Sequence, residues 1–145
     1  MEKMIWFDMD GTIANLYGVD GWLAMLIAGD PTPYAIADTL VNMNVLARKL
    51  HKLQAAGWKI GVISWLSKNS TPEYDKAVTA AKLGWLRHHL KSVQFDEIQI
   101  VAYGTPKQTL GRGILFDDEE PNRTTWGNGA YHPNDMMSVL SNLLA

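Results

Sequence analysis

Four short apolar runs punctuate this chain, at residues 4–7, 59–63, 97–101 and 113–116. Each is too short for a helix and rich in Ile, Val or Phe, which predicts buried β-strands. Longer stretches between them show helical spacing. Residues 44–56 carry Val45, Leu46, Leu50 and Leu53 on one face, and Gly57 supplies a C-terminal stop. Ser70-Thr71-Pro72-Glu73 offers a capping oxygen, a first-turn proline and a first-turn acid. The helix it opens runs to about residue 90 and buries Val78, Ala81, Trp85 and Leu86. A last helix follows Pro133 and carries Met137, Leu140 and Leu144. Strands alternating with helices call for right-handed crossovers, so the pattern predicts an α/β fold whose mostly parallel sheet is covered on both faces.

Residues 14–43 fit this scheme least well. Residues 20–28 read as one short helix, 29–33 as a turn containing Gly29, Pro31 and Pro33, and 34–43 as a second helical piece. Placed just after the first strand, the segment lies over that strand's carboxyl end, either as a small helical lid or as a long structural connection.

The 145 residues, 47% of them apolar, suit one globular domain, and no repeat or low-complexity tract marks a second. A net charge of −2 with a pI near 6.0 leaves no overall basic footprint for duplex nucleic acid or an anionic membrane. The lysines, arginines and histidines between Lys82 and Lys91 read as a solvated helix face. With no cysteine, disulfides, thiolate catalysis and cysteine metal sites drop out together. The first strand starts too early to leave room for a signal peptide, and no apolar run approaches the ~20 residues of a membrane span. The expectation is a cytoplasmic protein, cellular or virus-encoded, of unspecified oligomeric state.

Composition bounds the protein, but the strand ends carry the chemistry. The first apolar run stops on Asp8 and Asp10, one residue apart, followed by Gly11 and Thr12. Alternation along a strand points both carboxylates the same way. Such a pair repels unless a cation or proton lies between them. Gly11 allows a sharp turn that brings main-chain N–H groups toward a bound anion. A calcium loop is excluded, because it needs glycine at its sixth position and glutamate at its twelfth. Counted from Asp8, the glycine is fourth and the twelfth position is Val19.

In parallel α/β sheets ligands bind beyond the carboxyl ends of strands, and two more predicted strands end usefully there. The second ends in Ser64, followed by Trp65, and the fourth in Asp117-Asp118. Lys107 sits in the loop leading to the fourth, ten residues before Asp117. Asp8 has the position for a nucleophile that forms an aspartyl-phosphate, and Asp10 for the acid and base that serve the leaving group and water. Asp8, Asp117, Asp118 and Asp10, the last through its main-chain carbonyl, offer the oxygen ligands that Mg²⁺ prefers. Ser64 and Lys107 would neutralise phosphoryl oxygens, with Lys68 and Lys82 as competitors for the lysine's role. Gly11, Thr12 and Trp65 complete the expected substrate contacts. Tyr17, Trp22 and Tyr34 in the insertion offer faces on which a flat base could stack, whereas Trp6, Trp58 and Trp85 read as core.

In this set the chain resembles haloacid dehalogenase (HAD) superfamily phosphohydrolases. Asp8-Met9-Asp10-Gly11-Thr12 resembles their first motif, Ile63-Ser64 the second, Lys107 the third and Asp117-Asp118 the fourth. The resemblance spans nearly the whole chain and implies a three-layer Rossmann-like fold with a Mg²⁺-dependent phosphatase site. Asp10 implies phosphate chemistry, since the dehalogenase branch lacks that acid. Within the superfamily the chain looks most like 5'(3')-deoxyribonucleotidase-type proteins, through Asp8–Gly11, Ser64, Pro72-Glu73-Tyr74 and the Lys107-to-Asp118 spacing. It departs from them in its short insertion and in having Ser64 where many carry threonine. The implied substrate is a small phosphorylated metabolite such as a nucleoside monophosphate. The alternatives are a nucleic-acid 3'-end phosphatase and a catalytically silent binding module.

Overall fold

The computed structural model describes residues 2–145. Five parallel strands form the central sheet in the order β5-β4-β1-β6-β7: β1 Met4–Phe7, β4 Lys59–Trp65, β5 Glu97–Val101, β6 Ile114–Phe116 and β7 Ala130–Tyr131. The four expected strands all lie in this sheet, with β4 running two residues past its expected end. The short edge strand β7 has too few residues to give a readable alternation.

Strand alternation splits the core into two layers. Ile5 and Phe7 of β1, Ile60 and Val62 of β4, and Ile114 and Phe116 of β6 share one face. They pack beneath α3 (Met43–Ala55), α4 (Pro72–His89) and α6 (Met136–Leu143), through Leu46, Leu50, Leu53, Trp85, Leu86, Met136 and Leu140. The opposite face carries Met4, Trp6, Ile63 and Leu115, covered by Leu110 and by Trp126 of α5 (Glu120–Trp126). Trp6 lies flat over Gly61, where a Cβ would come within 2.5 Å of its ring, and its indole N–H donates to Arg112 O at 3.1 Å. Trp58 and Trp85 are also buried, as their sequence context suggests.

Both long helices start on a side-chain cap, the one at α4 lying where the sequence places it. Asn42 Oδ1 accepts from Val45 N at 3.1 Å to cap α3, and Thr71 Oγ1 accepts from Tyr74 N at 3.2 Å to cap α4. Two readings of α4 change: Ala81 is only partly buried, and Lys82, expected on a solvated face, is wholly buried. Lys82 lies four residues after Val78 and three before Trp85, so it belongs to the helix's inward stripe.

The insertion differs from its expected form. It contains α1 (Trp22–Ile27) and α2 (Thr32–Ile36), but residues 34–43 do not make a second continuous helix. Asp30 Oδ1 accepts from Thr32 N at 2.9 Å, which starts α2 inside the expected turn. After Ile36 the chain becomes β3 (Asp38–Thr39), paired antiparallel with β2 (Ala14–Asn15). This two-residue ladder clips the ends of the insertion together, and such a tertiary pairing leaves no helical periodicity to read. Leu16 and Tyr34 pack with Tyr74 and Val78 of α4, seating the insertion on that helix.

Gly113 is held where only glycine fits, at φ +107° with a Cβ position 2.3 Å from Met4 O. Gly113→Ala is expected to cost about 1–3 kcal/mol through steric strain at β1. A urea-denaturation midpoint unchanged from that of the unmodified protein would contradict this.

Candidate functional site

β1, β4 and β6 are neighbours, so their carboxyl ends open at one place. Phe7 pairs with Phe116, and Asp8 N donates to Phe116 O at 2.9 Å. Asp8 and Asp117 therefore emerge side by side at the first step beyond the ladder. Carboxylate oxygens of Asp8, Asp117 and Asp118 lie within 4.8 Å of one another.

Lys107 is the cation set against this group. Its Nζ is 2.9 Å from Asp8 Oδ1 and 2.7 Å from Asp117 Oδ2, and the side chain is buried. Thr12 Oγ1 donates to Asp8 Oδ2 at 2.9 Å and accepts from Asp118 N at 3.2 Å. Asn122 Nδ2 reaches Asp117 Oδ2 at 3.1 Å, Glu119 N reaches Asp117 Oδ1 at 2.9 Å, and Arg123 Nη1 holds Asp117 O at 3.0 Å. Asn122 and Arg123 thus brace the acidic loop. Their role escapes sequence patterning because it depends on where α5 places them.

Asp10 stands apart from the three clustered carboxylates. Its Oδ2 accepts from Lys82 Nζ at 2.9 Å, and Lys82 also donates to Ser64 Oγ at 2.6 Å and Trp65 O at 2.7 Å. The two candidate lysines therefore serve different acids. Lys68, the other competitor, is exposed at the cleft.

The expectation for Gly11 and Thr12 changes. Gly11 N donates to Ala14 O at 2.9 Å and Thr12 N to Met9 O at 3.1 Å, so these N–H groups are used within the loop. The Thr12 side chain is wholly buried against the acids. Gly11 instead makes room for Asp118: at φ +82°, a Cβ would lie 2.2 Å from Asp118 Oδ2. Both residues shape the acidic site from behind.

Burial pushes the Asp117 carboxyl up to about 6 and the Asp118 carboxyl up to about 8, with the Asp8 charge adding to each and Lys107 opposing the rise at Asp117. Burial also raises Asp10, against the pull of Lys82. Burial alone would lower Lys107, but Asp8 and Asp117 outweigh it and hold the ammonium above its usual range. Three close, oxygen-only donors left short of positive charge suit a hard divalent cation.

A cleft of about 340 Å³ opens over these groups. Tyr17 and Trp22 meet edge-on at 5.0 Å between ring centroids on the insertion side, and Trp65 and Tyr103 lie 5.1 Å apart on the β4 side. Trp65 Nε1 is anchored to Thr105 O at 2.8 Å. Leu16, Leu23, Leu26 and Ile27 add an apolar wall, and Asp8, Asp10 and Lys107 line the same space.

No protein-family model and no curated protein sequence matches this chain. Among solved structures it is similar to a D,D-heptose 1,7-bisphosphate phosphatase from Burkholderia thailandensis, with a TM-score of 0.52 at 12% identity, covering 99% of each chain. The likeness is one of fold: an α/β architecture with a parallel, Rossmann-like central sheet. No helix among the described residues is long and apolar enough to cross a membrane.

The raised carboxyls make a pH-dependent prediction. Well below the unfolded carboxyl value, at about pH 2, both are protonated in folded and unfolded chains alike. Between the unfolded carboxyl value and about 8 the folded chain binds more protons, so their contribution to stability falls as pH rises. Thermal melting in chelator should show this loss, and added Mg²⁺ should raise the melting temperature more at pH 8 than at pH 5. Equal Mg²⁺ shifts at the two pH values would contradict the assignment.

Proposed function

We propose that this protein is a Mg²⁺-dependent phosphomonoesterase that works through an aspartyl-phosphate on Asp8. The observation that carries this reading is the gathering of Asp8, Asp117 and Asp118 around one point, with Lys107 bridging Asp8 and Asp117 and with Asp8, Asp10 and Lys107 lining the cleft. Asp8, Asp117 and Asp118, with the main-chain carbonyl of Asp10, would hold the cation, which when bound supplies positive charge between carboxylate and phosphate.

Lys107 and Thr12 each occupy one oxygen of Asp8, fixing the carboxylate while leaving lone pairs for phosphorus. An Asp8 oxygen bonds to phosphorus as the bond to the leaving oxygen breaks. Asp10 gives that oxygen a proton, in keeping with a carboxyl that burial favours in its protonated form. Water then attacks phosphorus, Asp10 takes its proton, and Asp8 is released with inorganic phosphate. Main-chain N–H groups of Met9 and Asp10, for which no acceptor is recorded among the described residues, are the donors left to meet the phosphoryl oxygens.

The same reading makes residues 14–43 a small cap and the substrate a nucleoside monophosphate. Two aromatic pairs flank the cleft, and a flat base between them would exclude water from an otherwise apolar wall. The nucleotidase-type likeness of the first motif supports the same substrate class.

The expected result is phosphate release from p-nitrophenyl phosphate with Mg²⁺, abolished by Asp8→Asn, and inhibition by beryllium fluoride through an adduct on Asp8. An Asp8→Asn enzyme as active as the unmodified one would overturn the covalent route. Against nucleoside monophosphates, Trp22→Ala should raise KM about 5- to 150-fold, corresponding to the ~1–3 kcal/mol of one base–aromatic stack. Faster turnover of a 3'-phosphorylated oligonucleotide than of any nucleoside monophosphate would instead favour an end-processing role.

A further inference from the structure

The proton-transfer step places Asp10 beside a residue with no part yet in the chemistry. Lys82, on α4, is wholly buried and directs Nζ to Asp10 Oδ2, Ser64 Oγ and Trp65 O at 2.9, 2.6 and 2.7 Å. The Tyr34 ring from the insertion lies against the ammonium, 4.9 Å from Nζ to its centroid. An ammonium has three donors and no acceptor. Every proton is thus committed, and Lys82 cannot reach a phosphoryl group without leaving an acceptor behind. Its action must run through its neighbours.

Two directional consequences follow. Toward Lys82, Ser64 Oγ can only accept, and with the Trp65 carbonyl it holds the ammonium in place behind Asp10. Asp10 is held through Oδ2, while Oδ1 has no hydrogen-bond partner recorded among the described residues, and Asp10 lines the cleft. We propose that Lys82 is a positioning residue for proton transfer, fixing Asp10 so that Oδ1 faces the leaving group. This rests on the phosphomonoesterase reading above.

Leaving-group chemistry tests it. Benzyl phosphate departs as a basic alkoxide that needs a proton, whereas p-nitrophenyl phosphate departs as a weakly basic phenolate. In Lys82→Met, kcat for benzyl phosphate should fall about 10²-fold, the scale of general-acid assistance. The fall for p-nitrophenyl phosphate should stay under about 5-fold, with both KM values within about 3-fold. In an Asp10→Asn background, Lys82→Met should add less than about 2-fold, because residues acting as one unit are not additive.

Equal losses on both substrates, or an undiminished loss in the Asp10→Asn background, would overturn the role of Lys82 alone. Absence of turnover of either substrate by the unmodified protein with Mg²⁺ would overturn the phosphomonoesterase reading as well. Should Lys82→Met lose its cooperative melting transition, Lys82→Gln, and the double variant lacking both buried charges, carry the same comparison.

Discussion

Three carboxylates crowded at the end of a buried sheet repel one another, and their loss of water adds to the cost. Lys107 offsets part of that cost by bridging Asp8 and Asp117, with Asn122, the Glu119 N–H and Thr12 taking further oxygen lone pairs. The remaining strain is visible in the raised Asp117 and Asp118 carboxyls. Much of the surrounding architecture serves this balance: Gly11 vacates the space Asp118 fills, and Arg123 ties the loop back to α5. A site so poor in positive charge suits a hard divalent cation.

The second lysine gives Asp10 a separate environment. Asp8 lies among other acids with Lys107, whereas Asp10 faces Lys82 and Ser64. Two carboxylates one residue apart are thereby placed in unlike surroundings. Tyr34 joins this arrangement to the insertion, since its ring covers the Lys82 ammonium and its hydroxyl pairs with Ser67 Oγ at 2.6 Å. Movement of the insertion would consequently disturb the packing behind Asp10 as well as the cleft wall.

The sheet, the main helices and the meeting of Asp8, Lys107 and Asp117 are legible in linear order, because apolar runs define strands and parallel strands gather their carboxyl ends. Residue chemistry at those ends also suits a hard cation. Tertiary packing decided the rest. β2 and β3 are two residues each and exist only as each other's partner, so no local period announces them. Gly11 and Thr12 face inward because Asp118 closes on them, a contact across 106 residues for Thr12. Lys82 belongs to the inward stripe of its helix, yet a charged residue there reads as solvated until Asp10, Ser64 and the Trp65 carbonyl are brought around it. Local sequence carries periodicity and residue chemistry, whereas the partner of a buried charge is chosen by distant segments that only the folded chain brings within hydrogen-bond reach.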